Sequence, residues 1–270
     1  MILDYSSYIY KTGTSGIVNS KTVENTLDEL YAQKGICPFC HNEITNKIYY
    51  KYNDKIEWCS AYEEEDVIQC PNCGWWEHSY VFRSDDITDG LRATTLDINR
   101  AILKEYDIAS KEIPIIILNE YIKKNPDKIY GISDKKMEEL TKHVFKNFYD
   151  GEIKLVGKSH DGGKDLILIN GNKQTFIQVK RRTSADKVEP VSSIRDLLGA
   201  SILEDANSCI FVTTADHFSK PAKEAAQKAE NKGIVEKFNL IDYHRFTDML
   251  QLKKDILPST WEKVLRINRN

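Results

Sequence analysis

Residues 165–182 read DLILINGNKQTFIQVKRR, two apolar strand-like runs joined by a short polar turn. Side chains alternate along a strand, so Phe176, Gln178 and Lys180 share one face of the second run, and Thr175, Ile177 and Val179 share the other. Gln and Lys seldom stand inside a strand whose neighbours are Phe, Ile and Val. If the turn through Gly171 and Asn172 pairs the two strands, Asp165 at the start of one lies beside Gln178 and Lys180 at the end of the other. A carboxylate, an amide and an ammonium then converge at one end of a sheet, where packing alone does not ask for them.

The flanking sequence supplies the rest of a domain. Ser133 caps a helix running to about Tyr149, with Met137, Leu140, Val144, Phe145 and Phe148 on its apolar face. Glu138 lies at the edge of that face, about 90° from its centre, whereas Glu139 points to the opposite, solvated side with Lys142, His143 and Lys146. A strand over 153–156 and the glycine-rich loop GKSHDGGK lead into the hairpin. After it come a helix over about 190–203, the buried strand SCIFVTT, a helix begun by Ser219 and Pro221 and stopped by Gly233, and the strand GIVEKFNLID. The order αβββαβ, with one more helix and strand, predicts an α/β domain built on a mixed central sheet with helices on both faces.

The chain has 270 residues, 41% apolar and 29% charged, which fits one large domain with an appendage or two domains. Its formal charge of -3 gives no global attraction to a polyanion, so a nucleic-acid partner must be held by local basic groups. The longest apolar run, Ile113 to Leu118, contains a proline and is too short to cross a bilayer, and Met1 to Tyr10 lacks the pattern of a signal peptide. No membrane association and a cytoplasmic location are the expectation.

Four of the six cysteines form two Cys-x-x-Cys pairs, Cys37 with Cys40 and Cys70 with Cys73, separated by the 29 residues 41–69. GICPFCHNEI and IQCPNCGWWEH resemble the knuckles of a zinc ribbon. Two such turns face to face complete a tetrahedral thiolate site for a structural Zn2+ and leave no open position for catalysis. Pro38 and Pro71 stiffen the knuckles, and Gly74 permits the turn that follows. A thioredoxin-like redox reading is weaker, because two copies flank a strand-rich stretch. His41 and Cys59 read as bystanders. The aromatics between the knuckles, with Trp75 and Trp76, read as a miniature core in preference to a base-stacking surface. Ribbons serve nucleic acid and protein alike, so the module settles no function. The boundaries follow as 1–83 for the ribbon-like module, 84–132 for a helical connecting region with the helix-like stretches TTLDINRAILKEYDIA and IPIIILNEYIKKNP, and 133–270 for the α/β domain.

Glu138, DGGKD at 161–165, QVK at 178–180, SIRDLLGA at 193–200 and VTT at 212–214 stand in an order that resembles the Mrr-like restriction endonuclease catalytic domain of the PD-(D/E)xK nuclease superfamily. The resemblance covers about residues 130–245. It departs from the superfamily at Gln178, where Glu or Asp is usual and Mrr-like members commonly carry Gln, and at Met137, where Phe is usual. It implies a restriction-endonuclease-like fold and a metal-dependent DNA endonuclease. Asp165 is then the principal Mg2+ or Mn2+ ligand, with the Gln178 carbonyl oxygen as the second and Glu138 binding directly or through water. Lys180 is the group that orients the attacking water and stabilises charge on the phosphate. A neutral Gln predicts weak metal affinity until the substrate phosphate adds its charge.

The resemblance also makes Arg181, Arg182 and Arg195 expected substrate contacts, although taken singly the run Lys180 to Arg182 is a solvated strand end. Gly199 is expected to let its helix approach the sheet closely, and for Arg195 and Gly199 alike plain packing is an equal reading. Thr213 and Thr214 fall on the site side with an open role. Asp161, Gly162 and Gly163 read as a turn near the scissile phosphate or as a plain surface turn, and His160 as an exposed loop residue. The implied role is restriction or anti-phage defence on double-stranded DNA, with room for a homodimer, since cutting both strands needs two sites, and for a defence-system partner protein. The alternatives are a repair or junction-cleaving nuclease and, from another class, a non-catalytic nucleic-acid-binding adapter on a nuclease scaffold.

Overall fold

A computed structural model describes residues 1–15, 30–44, 46–54, 61–86, 91–156, 163–252 and 259–267. The chain forms two compact units, one of Met1–Ile2 with Tyr106–Asp255 and the other of Leu3–Glu105 with Ile256–Asn270.

The unit that holds the cysteines contains β1 (Ile2–Ser15), α1 (Tyr31–Lys34), β2 (Lys47–Asn53), β3 (Ala61–Gln69), β4 (Trp76–Asp86) and β5 (Leu91–Tyr106), in a sheet of order β1-β5-β4-β3-β2. One knuckle is the turn between β3 and β4 and the other lies between α1 and β2, so the knuckles are attached to a five-stranded sheet and do not stand alone. Here the structure corrects the sequence reading: TTLDINRAILKEYDIA is not helical but lies largely in β5, paired antiparallel with β4 from Glu77↔Arg100 to Asp86↔Leu91. Its β-branched Thr94, Thr95, Ile98 and Ile102 suit a strand. The period of two is masked because successive residues Leu96, Asp97, Ile98 and Asn99 are all buried. Trp75 and Trp76 lie in the core with Cys37, Ile44, Ile68, Cys70 and Ala101, whereas Tyr50 and Tyr52 are exposed.

The second unit continues with α2 (Ile115–Lys124), a 3-10 turn over Pro126–Gly131, α3 (Asp134–Phe145), β6 (Glu152–Leu155), β7 (Leu166–Asn170), β8 (Lys173–Lys180), β9 (Val188–Glu189), α4 (Val191–Leu203), β10 (Ser208–Thr213), β11 (His217–Phe218), α5 (Lys220–Asn231), β12 (Lys237–Ile241) and α6 (Tyr243–Leu252). Its sheet runs β12-β10-β8-β7-β6, with β12, β10 and β8 parallel and β7 and β6 antiparallel. The fold is thus the mixed α/β architecture expected. Ile177, Val179, Ile210 and Val212 face one apolar cluster with Met137, Leu140, Val144 and Phe145 of α3. Phe176, Cys209, Phe211 and Phe238 face a second with Ile194 and Leu197 of α4 and the alanines of α5.

Ser133 caps α3 by accepting the Lys136 N–H at 3.3 Å, but the helix ends at Phe145, and Phe148 is exposed instead of joining its apolar face. Glu139, expected in solvent, accepts Lys136 Nζ at 2.5 Å and is half-buried. Gly151, at φ 122, lets β6 begin against β7, since a Cβ there would lie 2.3 Å from Ile169 O. Among the described residues no helix is long and apolar enough to cross a membrane.

Candidate active site

The hairpin has the register the alternation implies. Leu166 pairs with Ile177 and Asn170 with Lys173, and Gly171 supplies the turn at φ 60. Asp165 is thereby carried to the end of β8, where its N–H donates to Ile177 O at 2.9 Å and its Oδ2 accepts the Val179 N–H at 2.7 Å. Gln178, next to Val179, has a buried side-chain oxygen, Oε1, with no hydrogen-bond partner among the described residues. Its Nε2 lies beside Gly163, 3.5 Å from where a Cβ on that glycine would sit. Lys180 ends the strand, exposed to solvent.

The electrostatics join Glu138 to this group. Burial pushes the Glu138 carboxyl up to about 7, and the negative charges of Asp165, Asp134 and Glu139 add to the effect against the opposing charge of Lys135. Burial also raises Asp165, opposed by the Val179 N–H and the Lys180 charge. Two carboxyls disfavoured as anions chiefly by burial, with Asp165 acting on Glu138 and Asp134 on both, and a strand-end amide oxygen left unpaired, are hard oxygen donors short of a positive charge. A buried acceptor left unpaired costs about 1–3 kcal/mol. The chemistry and the orphaned atom both fit a small divalent cation.

The structure thus holds Asp165 against the backbone of β8 at Gln178 and within electrostatic reach of Glu138 and Lys180, and it engages Arg181 and Arg182 within the domain. Arg181 Nε donates to Asp134 Oδ1 at 2.8 Å and its Nη1 to Tyr130 O at 2.9 Å. Arg182 makes a two-pronged pair with Glu189. Arg195 is exposed on α4 and lines a groove of about 400 Å3 with Lys228 and Lys232. Close helix-to-sheet approach at Gly199 is not found, since a Cβ there would meet no atom within 4 Å. Thr213 and Thr214 are fully buried and bond to Glu189 and Arg182. His160, Asp161, Gly162 and Cys59 lie outside the described residues.

Two further groups went unread in the sequence. Glu189, in KVEP, looks like a loop residue, yet it is buried beneath the strand ends. Lys164, inside DGGKD, is buried against the Phe176 ring at 4.6 Å and paired with Glu204.

The cysteines form a second centre. The Sγ atoms of Cys37, Cys40, Cys70 and Cys73 all lie within 4.8 Å of one another. The knuckles repeat one geometry: His41 N–H donates to Cys37 O at 3.1 Å as Gly74 N–H donates to Cys70 O at 3.0 Å, and both residues have positive φ, 56 and 85. Asn42, through its backbone N–H and then its side chain, pulls the Cys40 thiol down to about 5, while burial pushes Cys37 up to about 12. Four thiolates at this spacing suit a tetrahedral zinc site of the ribbon type. Among the described residues no other group of three or more His, Cys, Asp or Glu side chains comes as close together.

Curated proteins offer no match to the chain. A family model described as a restriction endonuclease, the Mrr catalytic domain, matches residues 129–250, a span that holds α3, the central sheet, Glu138, Asp165, Gln178 and Lys180. Over residues 129–250 the chain is thus similar to a restriction endonuclease domain of the Mrr catalytic family.

Proposed function

We propose that the protein is a metal-dependent endonuclease that hydrolyses phosphodiester bonds of double-stranded DNA, serving restriction or anti-phage defence in the cytoplasm. The observation that carries this reading is the orphaned Gln178 Oε1, one residue from the Val179 N–H that holds Asp165, with the carboxyls of Asp165 and Glu138 both raised. Asp165, Gln178 and Glu138 would hold Mg2+ or Mn2+, which when bound supplies Lewis acidity toward the phosphate and acidifies a water.

The remaining work falls to the chain. The Val179 N–H fixes the Asp165 carboxylate in one orientation. Lys180, exposed at the end of β8, orients the attacking water and stabilises charge growing on the phosphate. Arg195, with Lys228 and Lys232 in the same groove, is available to the phosphate backbone. Arg181 and Arg182 act through their partners inside the domain. The four cysteines hold a structural Zn2+. A homodimer places two such sites for the two strands.

The test incubates purified protein with modified and unmodified plasmid DNA and Mg2+ or Mn2+, beside Lys180→Ala. The wild type nicks the plasmid, and Lys180→Ala loses on the order of 100-fold or more in rate. Equal nicking by both proteins removes the assigned site, and no cleavage of DNA or RNA turns the reading to a non-catalytic adapter.

A further inference from the structure

The sequence places Arg182 at the substrate, but its guanidinium faces inward. Nε donates to Glu189 Oε2 at 2.9 Å and Nη2 to Oε1 at 2.5 Å, and the Glu189 side chain is fully buried. Oε2 takes a further donor, Thr213 Oγ1 at 2.9 Å, which in turn accepts the Ala215 N–H at 3.0 Å. Thr213 is the register partner of Lys180 on β10. Its neighbour Thr214 donates its N–H to Lys180 O at 3.1 Å and accepts the Arg182 N–H at 2.6 Å. The backbone of Glu189 is held too: it pairs with Phe218 of β11, and its carbonyl accepts the N–H of Ser219, the cap of α5, at 3.0 Å.

Burying a carboxylate costs free energy unless it is paired and hydrogen-bonded, and such a pair stabilises a fold little more than apolar residues of the same volume would. What a two-pronged guanidinium–carboxylate pair supplies is fixed geometry. The segments fixed here are the ends of β8 and β10, at the point where Lys180 leaves the sheet.

We propose that Glu189 is a positioning residue for Lys180: through Arg182 and Thr213 it locks the end of β8, so that the Lys180 ammonium keeps one place beside Asp165 and Gln178. The proposal rests on the reading of Lys180 as catalytic, and it moves Arg182 from phosphate contact to inner partner of a buried carboxylate.

Glu189→Gln, Arg182→Lys, Thr213→Val and Thr213→Ser are compared with the wild type and Lys180→Ala in the full chain, on plasmid DNA with Mg2+, below the melting temperature of each. A displacement of about 1 Å at a reacting group costs on the order of 100-fold. Glu189→Gln is therefore expected to lower kcat by roughly 10- to 100-fold with KM for DNA unchanged. Arg182→Lys, which keeps the charge and loses the fork, falls the same way, and Thr213→Ser recovers the kcat that Thr213→Val loses. A rise in KM with kcat intact makes Arg182 a phosphate contact and overturns the proposal. Wild-type kcat in Glu189→Gln overturns it too, even with a lowered Tm. If Glu189→Gln does not fold, the two Thr213 variants decide. A wild type inert on every nucleic acid defeats the catalytic reading and this proposal with it, whereas an active wild type with unimpaired variants defeats this proposal alone.

Discussion

Among single residues, the polar exceptions in the strand pair were the most legible feature of the sequence. Alternation placed Gln178 and Lys180 on one face and the hairpin placed Asp165 beside them, and both follow from strand geometry alone. The inward turn of Arg182 was illegible, because it depends on Glu189, and nothing local in KVEP announces a buried carboxylate. Glu138 makes a prediction at this scale. Its carboxyl titrates near 7 when folded against an ordinary 4.5, so between those values the folded protein binds more protons than the unfolded chain. That contribution to stability is full below about 4.5 and is lost as pH rises through about 7, and Asp165, also raised, acts in the same direction. Without added Mg2+ or Mn2+, the Tm followed at 222 nm should fall across pH 5 to 8, and Glu138→Gln should flatten the fall. A slope unchanged in the variant removes Glu138 as its source.

Elements were legible where one face is apolar and the other polar. The α3 and α5 helices and the strands of the mixed sheet follow their periodicity, and the Ser133 and Ser219 caps mark the starts of two helices. β5 was not legible: its polar residues are buried by cross-strand partners, as when Asp97 accepts the Tyr10 hydroxyl at 2.7 Å, so the period of two disappears from the hydropathy pattern. The junction of β6 with β7 is another contact the sequence does not announce. Gly151 must approach Ile169 O, so Gly151→Ala forces the two strands apart and should cost on the order of 3 kcal/mol. The urea midpoint of the variant measures this, and an unchanged midpoint shows that β6 shifts freely.

The whole molecule separates its spectroscopic signals by unit. The described tryptophans, Trp75, Trp76 and Trp261, fall in the unit of Leu3–Glu105 with Ile256–Asn270, while the long described helices α2 to α6 fall in the other. Elemental analysis should find about one zinc per chain, as a single four-thiolate site requires. Chelating it should shift tryptophan emission to the red while ellipticity at 222 nm persists, because the small core around Cys37 and Cys70 depends on its metal and the nuclease sheet does not. Loss of both signals together, or of neither, counts against a structural zinc confined to that unit. The discontinuity of the same unit bears on biosynthesis. Glu65 accepts the N–H groups of Arg266 and Ile267 at 2.6 and 2.9 Å, and Arg266 pairs with Asp97. A ribosome makes Glu65 and Asp97 long before Arg266, so the nuclease domain, though later in the sequence, has all its strands in hand first. Folding during translation should therefore close the nuclease fold before the cysteine-bearing unit receives its last segment.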